Sequence, residues 1–211
     1  KGSKRTPTDI CCIVDISSSM GQSAAIETSN GVEGQDLIIL DIVKHAVKTI
    51  IQALGPEDTL GIIAYDDYAV VTVDMTRMDD AGKTKANTAL SSLQPKGSTN
   101  LWGGLKAGLD LVGKSGRNSS VFLFTDGQPN IIPPEGHIPA LRAYKDQFSP
   151  ECTINTFGFG YNLDIDLLVD IAKEGDGAYA FIPDSTLVGT IFVNAVSDLL
   201  VTSATNVILS L

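Results

Sequence analysis

Residues 9–22 read "DICCIVDISSSMGQ". The run Ile10 to Val14 is continuously apolar, the signature of a strand buried on both faces of a parallel sheet. In such a strand the adjacent Cys11 and Cys12 point to opposite faces. With Cys152 they read as small core hydrophobes, because three cysteines make no disulfide framework. The strand ends in Asp15, and Ser17, Ser18 and Ser19 then stand where a helix ought to begin. Taken alone, this segment fits a helix cap, since Ser and Asp are favoured N-caps, as well as it fits oxygen ligands for a metal.

Working outward, "GQSAAIETSNGVEGQ" (21–35) shows no periodicity and reads as a long loop. Placed directly after the serines, it is a candidate for contacting whatever they contact. Leu37, Leu40, Val43, Val47, Ile50 and Ile51 recur at helical spacing from Asp36 to Leu54, with Gly55-Pro56 as the stop. "TLGIIAY" and "AVVTVD" are β-branched runs joined by Asp66-Asp67-Tyr68, which suits an antiparallel hairpin at a sheet edge. Helices are expected over Asp79 to Leu93, Leu101 to Val112, Ala140 to Phe148, Asp164 to Ala172 and Leu187 to Leu200. "SVFLFTD", "CTINTFGFG" and "GAYAFI" are further strands, and Asn206 to Leu211 is strand-like. Strands alternating with helices predict a three-layer α/β fold. Its doubly wound, mostly parallel sheet would have about six strands and one antiparallel edge strand, with helices on both faces. The working loops of such a sheet lie at the carboxyl ends of its strands.

At 211 residues and 43% hydrophobic, the chain is long enough for one sizeable core, and no composition break divides it. Residues 9–200 are expected to form the domain, 1–8 an N-terminal extension and 201–211 a C-terminal, strand-like one that would lead into another domain. A net charge of -10 repels a phosphate backbone, which argues against nucleic acid and anionic membranes as partners and for cations. No apolar run approaches the ~20 residues of a membrane span, and Lys1 to Thr8 is too polar for a signal peptide. With three unpaired cysteines this leans towards an intracellular setting. Asn118-Ser119-Ser120 reads as a polar turn before a strand.

The pattern Asp15-x-Ser17-x-Ser19, Thr99 in "KGSTN" and Asp126 in "FTDGQPN" are common fragments singly and specific together. In this order, between these elements, the chain resembles the von Willebrand factor A domains, over essentially all of residues 9–200. "STNLWGGL", "TDGQPN" and "FGFGYNLD" are most similar to A domains that accompany Hint or ubiquitin-ligase modules in eukaryotes. They are more distantly similar to inter-alpha-trypsin inhibitor heavy chains. The resemblance implies a metal-ion-dependent adhesion site made of Asp15, Ser17, Ser19, Thr99 and Asp126. Ser17 and Ser19 would bind the ion directly, Thr99 directly or through water, and the two aspartates largely through coordinated waters; Ser18 stands outside the ligand set. Mg2+ is the expected ion, with Mn2+ or Ca2+ as alternatives, because hard ions take oxygen ligands. A shell short of negative charge would attract an Asp or Glu from a protein partner. The resemblance also implies a non-catalytic module, monomeric within a larger protein, whose last helix, Leu187 to Leu200, moves with ligand binding.

Two other functions compete. A Mg2+-dependent phosphohydrolase of the aspartyl-phosphate type would use Asp15 at the end of the first strand, but Ser17 stands where its acid/base aspartate belongs. A scaffold domain would keep the site with its face covered by a neighbouring module. "GSTNLWGGLKAG" lacks the ending of a P-loop, and Gly103 and Gly104 are better explained by close helix packing. His45 within a helix and His137 in a loop are read as surface or packing residues. Asp66 and Asp67 are read as solvated turn residues, and Trp102 as buried.

Overall fold

The computed structural model describes residues 6–24, 26–28, 31–33, 37–112, 117–160 and 163–182. Its main sheet is built from β1 (Thr8–Asp15), β4 (Thr59–Tyr65), β5 (Ala69–Arg77), β6 (Asn118–Thr125), β7 (Cys152–Phe159) and β8 (Tyr179–Ile182). They lie in the order β5-β4-β1-β6-β7-β8. All neighbours are parallel except β5, which returns antiparallel on β4 at the edge. The expected doubly wound sheet with one antiparallel edge strand is therefore present. The winding reverses between β1 and β6, and the crevice at the carboxyl ends of these two strands is where such sheets hold ligands.

The helices are α1 (Ile39–Ala53), α2 (Asp80–Ser91), α3 (Leu101–Val112), α4 (His137–Phe148) and α5 (Ile165–Glu174). The alternation read from "ICCIV" holds. Ile10, Cys12 and Val14 join one core with α1 and α2, while Cys11 and Ile13 join the other with α3, α4 and α5. Cys152 is only half-buried. Helix α3 lies close on the sheet through glycines: a Cβ at Gly104 would stand 2.6 Å from the Tyr65 ring, and one at Gly108 2.3 Å from Ile13. Gly103 has a different task from the one expected. A Cβ there would meet the carboxamide of Asn100, whose Oδ1 accepts from the Gly103 N–H and caps the first turn of α3.

Several expectations are corrected. Helix α1 starts at Ile39 rather than Asp36, where the Asp41 carboxylate accepts from the Ile38 N–H. The segment 21–35 is not simply a loop: Ser18–Gly21 forms a 3-10 turn, Ser23 bridges to Ile38, and β2 (Ile26–Thr28) pairs antiparallel with β3 (Gly31–Glu33). Its glycines hid a short hairpin because strands of three residues are too brief to show alternation. His137 is the first residue of α4 and is buried. Asn118 opens β6 rather than forming a turn, with Ser119 and Ser120 buried behind it. Trp102 is half-buried, edge-on to Tyr144. β1 begins at Thr8, inside the stretch expected as an extension. The expected helix Leu187 to Leu200 and strand Asn206 to Leu211 lie outside the described residues.

Candidate metal centre

Asp15 is the last residue of β1, and the register that pairs Val14 with Phe124 brings Thr125 and Asp126, at the end of β6, alongside it. After Asp15 the chain turns sharply. The Ser17 N–H donates to Asp15 Oδ1 at 2.8 Å, which bends the backbone into the 3-10 turn, and Met20, fully buried, anchors that turn in the core. Ser17 at the head of the turn makes no side-chain cap hydrogen bond, so helix capping does not account for the serines.

The side chains form a chain of oxygens. Ser17 Oγ lies 3.1 Å from Ser19 Oγ, and Ser19 Oγ donates to Asp126 Oδ1 at 2.9 Å. Asp15 Oδ2 accepts from the Thr125 hydroxyl at 2.6 Å and the Tyr65 hydroxyl at 3.1 Å. Ser18 points elsewhere: it is exposed, and its hydroxyl donates to the Gly97 carbonyl. Thr99 is buried and held beside the two loops by main-chain bonds. Its N–H donates to Asn130 Oδ1, and its carbonyl accepts from the Asn130 and Ile131 N–H groups. The 96–99 segment is tied to the serine loop by Lys96 N–H to Ile16 O and Ser18 N–H to Gly97 O.

All five residues expected as ligands thus belong to one edge of the sheet. Tyr65, Thr125 and Asn130, which orient them, were not found from sequence. Tyr65 and Thr125 sit inside apolar strand runs, and only the register Asp15↔Tyr65 gives them a polar task. Asn130, in "TDGQPN", looks like any turn asparagine. Asp66 is also not the solvated turn residue expected. It is buried, accepts from the Tyr68 N–H at 3.0 Å and lies 3.4 Å from Lys96 Nζ. Gly97 has φ +69, and a Cβ there would stand 2.6 Å from Asp67 Oδ2 and 3.0 Å from Asp66 Cβ.

Asp15 and Asp126 are 0% and 5% exposed, and no Lys, Arg or His pairs with either among the described residues. Burial, with the charge of Asp15 acting in the same direction, pushes the Asp126 carboxyl up to about 6. Burial also raises Asp15, against the opposing hydrogen bonds from Thr125, Ser17 and Tyr65. Two uncompensated carboxylates beside three hydroxyls suit a hard divalent cation. Oxygens bound cis at about 2.1 Å in an octahedron stand about 3.0 Å apart, close to the spacings along the Ser17, Ser19 and Asp126 chain. Among the described residues no group of three or more His, Cys, Asp or Glu gathers that could hold a metal ion, so an ion here would rest on the hydroxyls as well as on the two carboxylates.

A pH dependence follows with a definite sign. A carboxylate whose folded pKa lies above its unfolded value penalises the folded state at neutral pH, and the penalty fades as pH falls through the folded pKa towards the unfolded one. Asp126, raised from 3.8 to about 6, should therefore make the chelator-treated protein gain stability between about pH 7 and about pH 4. Thermal melts in chelator and in excess Mg2+ across this range should converge towards the acid end. Divergence there would mean that protons and metal do not compete for these oxygens.

The fold and its hydroxyl-carboxylate edge define a class, the doubly wound α/β domains with oxygen-rich loops at the switch point of the sheet. Within it, the chain belongs to the von Willebrand factor type A domain family, whose model matches residues 10–128, more than half of the chain. It is 28% identical over 181 residues to an uncharacterized protein of Synechocystis, covering 85% of this chain and 38% of that protein. Inter-alpha-trypsin inhibitor heavy chain H3 of Homo sapiens is 24% identical over 182 residues, covering 81% of this chain and 18% of that one. The chain thus spans less than two fifths of the length of the curated relatives it matches. Among solved structures, a von Willebrand factor type A protein from Catenulispora acidiphila superimposes with a TM-score of 0.74 at 18% identity, covering 93% of this chain and 43% of that one. No helix among the described residues is long and apolar enough to cross a membrane.

Proposed function

We propose that this domain binds Mg2+ through Asp15, Ser17, Ser19, Thr99 and Asp126 and uses the bound ion to capture an Asp or Glu side chain of a protein partner. The observation that carries this is the pair of buried carboxylates, with no cationic partner among the described residues, beside the linked Ser17 and Ser19 hydroxyls at the point where the sheet reverses its winding. The ion would supply positive charge that largely neutral direct ligands leave unspent, and an outside carboxylate would complete its shell. Mn2+ is an effective substitute in the same oxygen set, and Ca2+ a weaker one on grounds of size. Asp15 is a poor candidate for a catalytic nucleophile: it is wholly buried, and both of its oxygens accept hydrogen bonds. A non-catalytic binding role is consistent with that.

Calorimetric titration of Mg2+ and Mn2+ tests the reading. The wild type and Ser18→Ala should bind alike, since Ser18 faces Gly97, whereas Ser17→Ala should weaken binding by about 10- to 100-fold. An absence of binding by the wild type, or equal losses in the two serine variants, would overturn it.

A further inference from the structure

We infer that the captured carboxylate is flanked by bulky apolar side chains, in a partner segment that carries no further acidic charge. This rests on the carboxylate-capture reading above. Three large apolar residues are exposed at this edge of the sheet: Tyr68 at 78%, Ile131 at 38% and Ile132 at 61%. Scattered exposed apolar residues are ordinary on any protein. These three are not scattered, because hydrogen bonds tie each of their segments to Thr99 and Asn100. On one side, Asn100 N–H donates to Asp66 O and Asn100 Nδ2 to Asp67 O, while Asp66 N–H donates to Tyr68 O, which fixes the turn that carries Tyr68. On the other, Asn130 and Ile131 N–H both donate to Thr99 O, which places Ile131 and Ile132 beside the same residue. Thr99 therefore stands between two exposed apolar shoulders. Val70, 60% exposed, continues the Tyr68 shoulder along the edge strand.

Charge excludes the competing occupant. A divalent ion would offset the charges of Asp15 and Asp126, and its open coordination position would take one carboxylate. Any second acid on the partner would face a chain of net charge -10, with Asp67 beside Gly97 and Glu135 exposed at the end of the Ile132 loop. Lys96, the basic residue at this rim, is already held by Asp66. Affinity beyond the single metal contact must then come from apolar area, which the two shoulders supply.

The test uses two blocked pentapeptides against the Mn2+-loaded protein, one with a central glutamate among glycines and one with that glutamate between two leucines. The leucine-flanked peptide should bind at least about tenfold more tightly, and Tyr68→Ser/Ile132→Ser should erase that preference while leaving Mn2+ affinity unchanged. Both replaced side chains are exposed, so the variant should fold, and its retained Mn2+ affinity reports that it has. Equal binding of the two peptides, or a preference that survives in the variant, overturns the inference and leaves metal capture standing. Mn2+ binding with neither peptide bound overturns the inference together with carboxylate capture. Failure to bind Mn2+ overturns the reading from its first step.

Discussion

Asp15→Ala and Asp126→Asn are both expected to reduce Mg2+ affinity by more than about 100-fold, yet to shift the stability of the metal-free domain in opposite directions. The difference lies in what each carboxylate does without the ion. Asp15 accepts from the Ser17 N–H and from the Tyr65 and Thr125 hydroxyls, all in buried surroundings. Removing it leaves those donors to find one another, and a buried donor without an acceptor costs about 1–3 kcal/mol. Relief of the buried charge offsets part of this, so a net loss of about 2 kcal/mol is expected. The bond from Ser19 Oγ to Asp126 Oδ1 survives in the Asn variant, while the charge that burial and Asp15 oppose disappears. That variant should gain about 1–2 kcal/mol in chelator: a rise from 3.8 to about 6 at about 1.36 kcal/mol for each unit is about 3 kcal/mol, and burying the new amide donor takes back about 1–2 kcal/mol of it. In excess Mg2+ the wild type should overtake Asp126→Asn, because only the wild type is stabilised by bound metal, by about 2.7 kcal/mol at a hundredfold excess over Kd. Chemical denaturation of three proteins in two buffers checks all of this. The same sign of stability change for both variants in chelator would refute the division of labour.

Gly104→Ala should produce the other large effect, and it should damage stability and the site together. A Cβ at this position lies 2.6 and 2.7 Å from ring carbons of Tyr65, which is fully buried and cannot swing aside as a flexible chain end would. Overpacking of this kind costs about 1–3 kcal/mol. Because the Tyr65 hydroxyl holds Asp15 Oδ2, the displaced ring also releases the carboxylate, and Mg2+ affinity should fall by about tenfold. Tyr65→Phe separates the two components, since it keeps the packing and deletes the hydrogen bond. It should reproduce the loss of affinity with less than half of the stability loss. If Gly104→Ala lowers stability but leaves Mg2+ affinity at the wild-type value, Tyr65 does not position Asp15.

The cysteine pair and the serine cluster show how much was legible beforehand and where legibility stopped. "ICCIV" specifies a strand buried on both sides whatever surrounds it, because alternation is a local property of an extended chain. The helices of α1 and α5 were readable for the same reason, through apolar residues at a 3.6 period. The hairpin of β2 and β3 was not, since three-residue strands carry no countable period. His137 in α4 was missed because the first turn of a helix without a capping side chain leaves no mark ahead of it. Asp66 shows the reverse error: a turn aspartate is usually solvated, and only the packing of the β4–β5 turn on the start of α3 buries this one.

By itself the sequence determined the alternation of strands and helices, the edge hairpin, and the oxygen-rich loops that fall at strand ends. These follow from periodicities of two and 3.6 residues and from turn chemistry, which act over a few neighbours along the chain. The tertiary structure alone decided that Tyr65 and Thr125 would hold Asp15, that Ser18 would turn to Gly97, and that Tyr68 and Ile131 would stand on either side of Thr99. These contacts join residues 50 or more positions apart, or depend on which neighbour a loop meets. Sheet register and the packing of α3 against β1 and β4 set them, and neither is written in any local stretch of the chain.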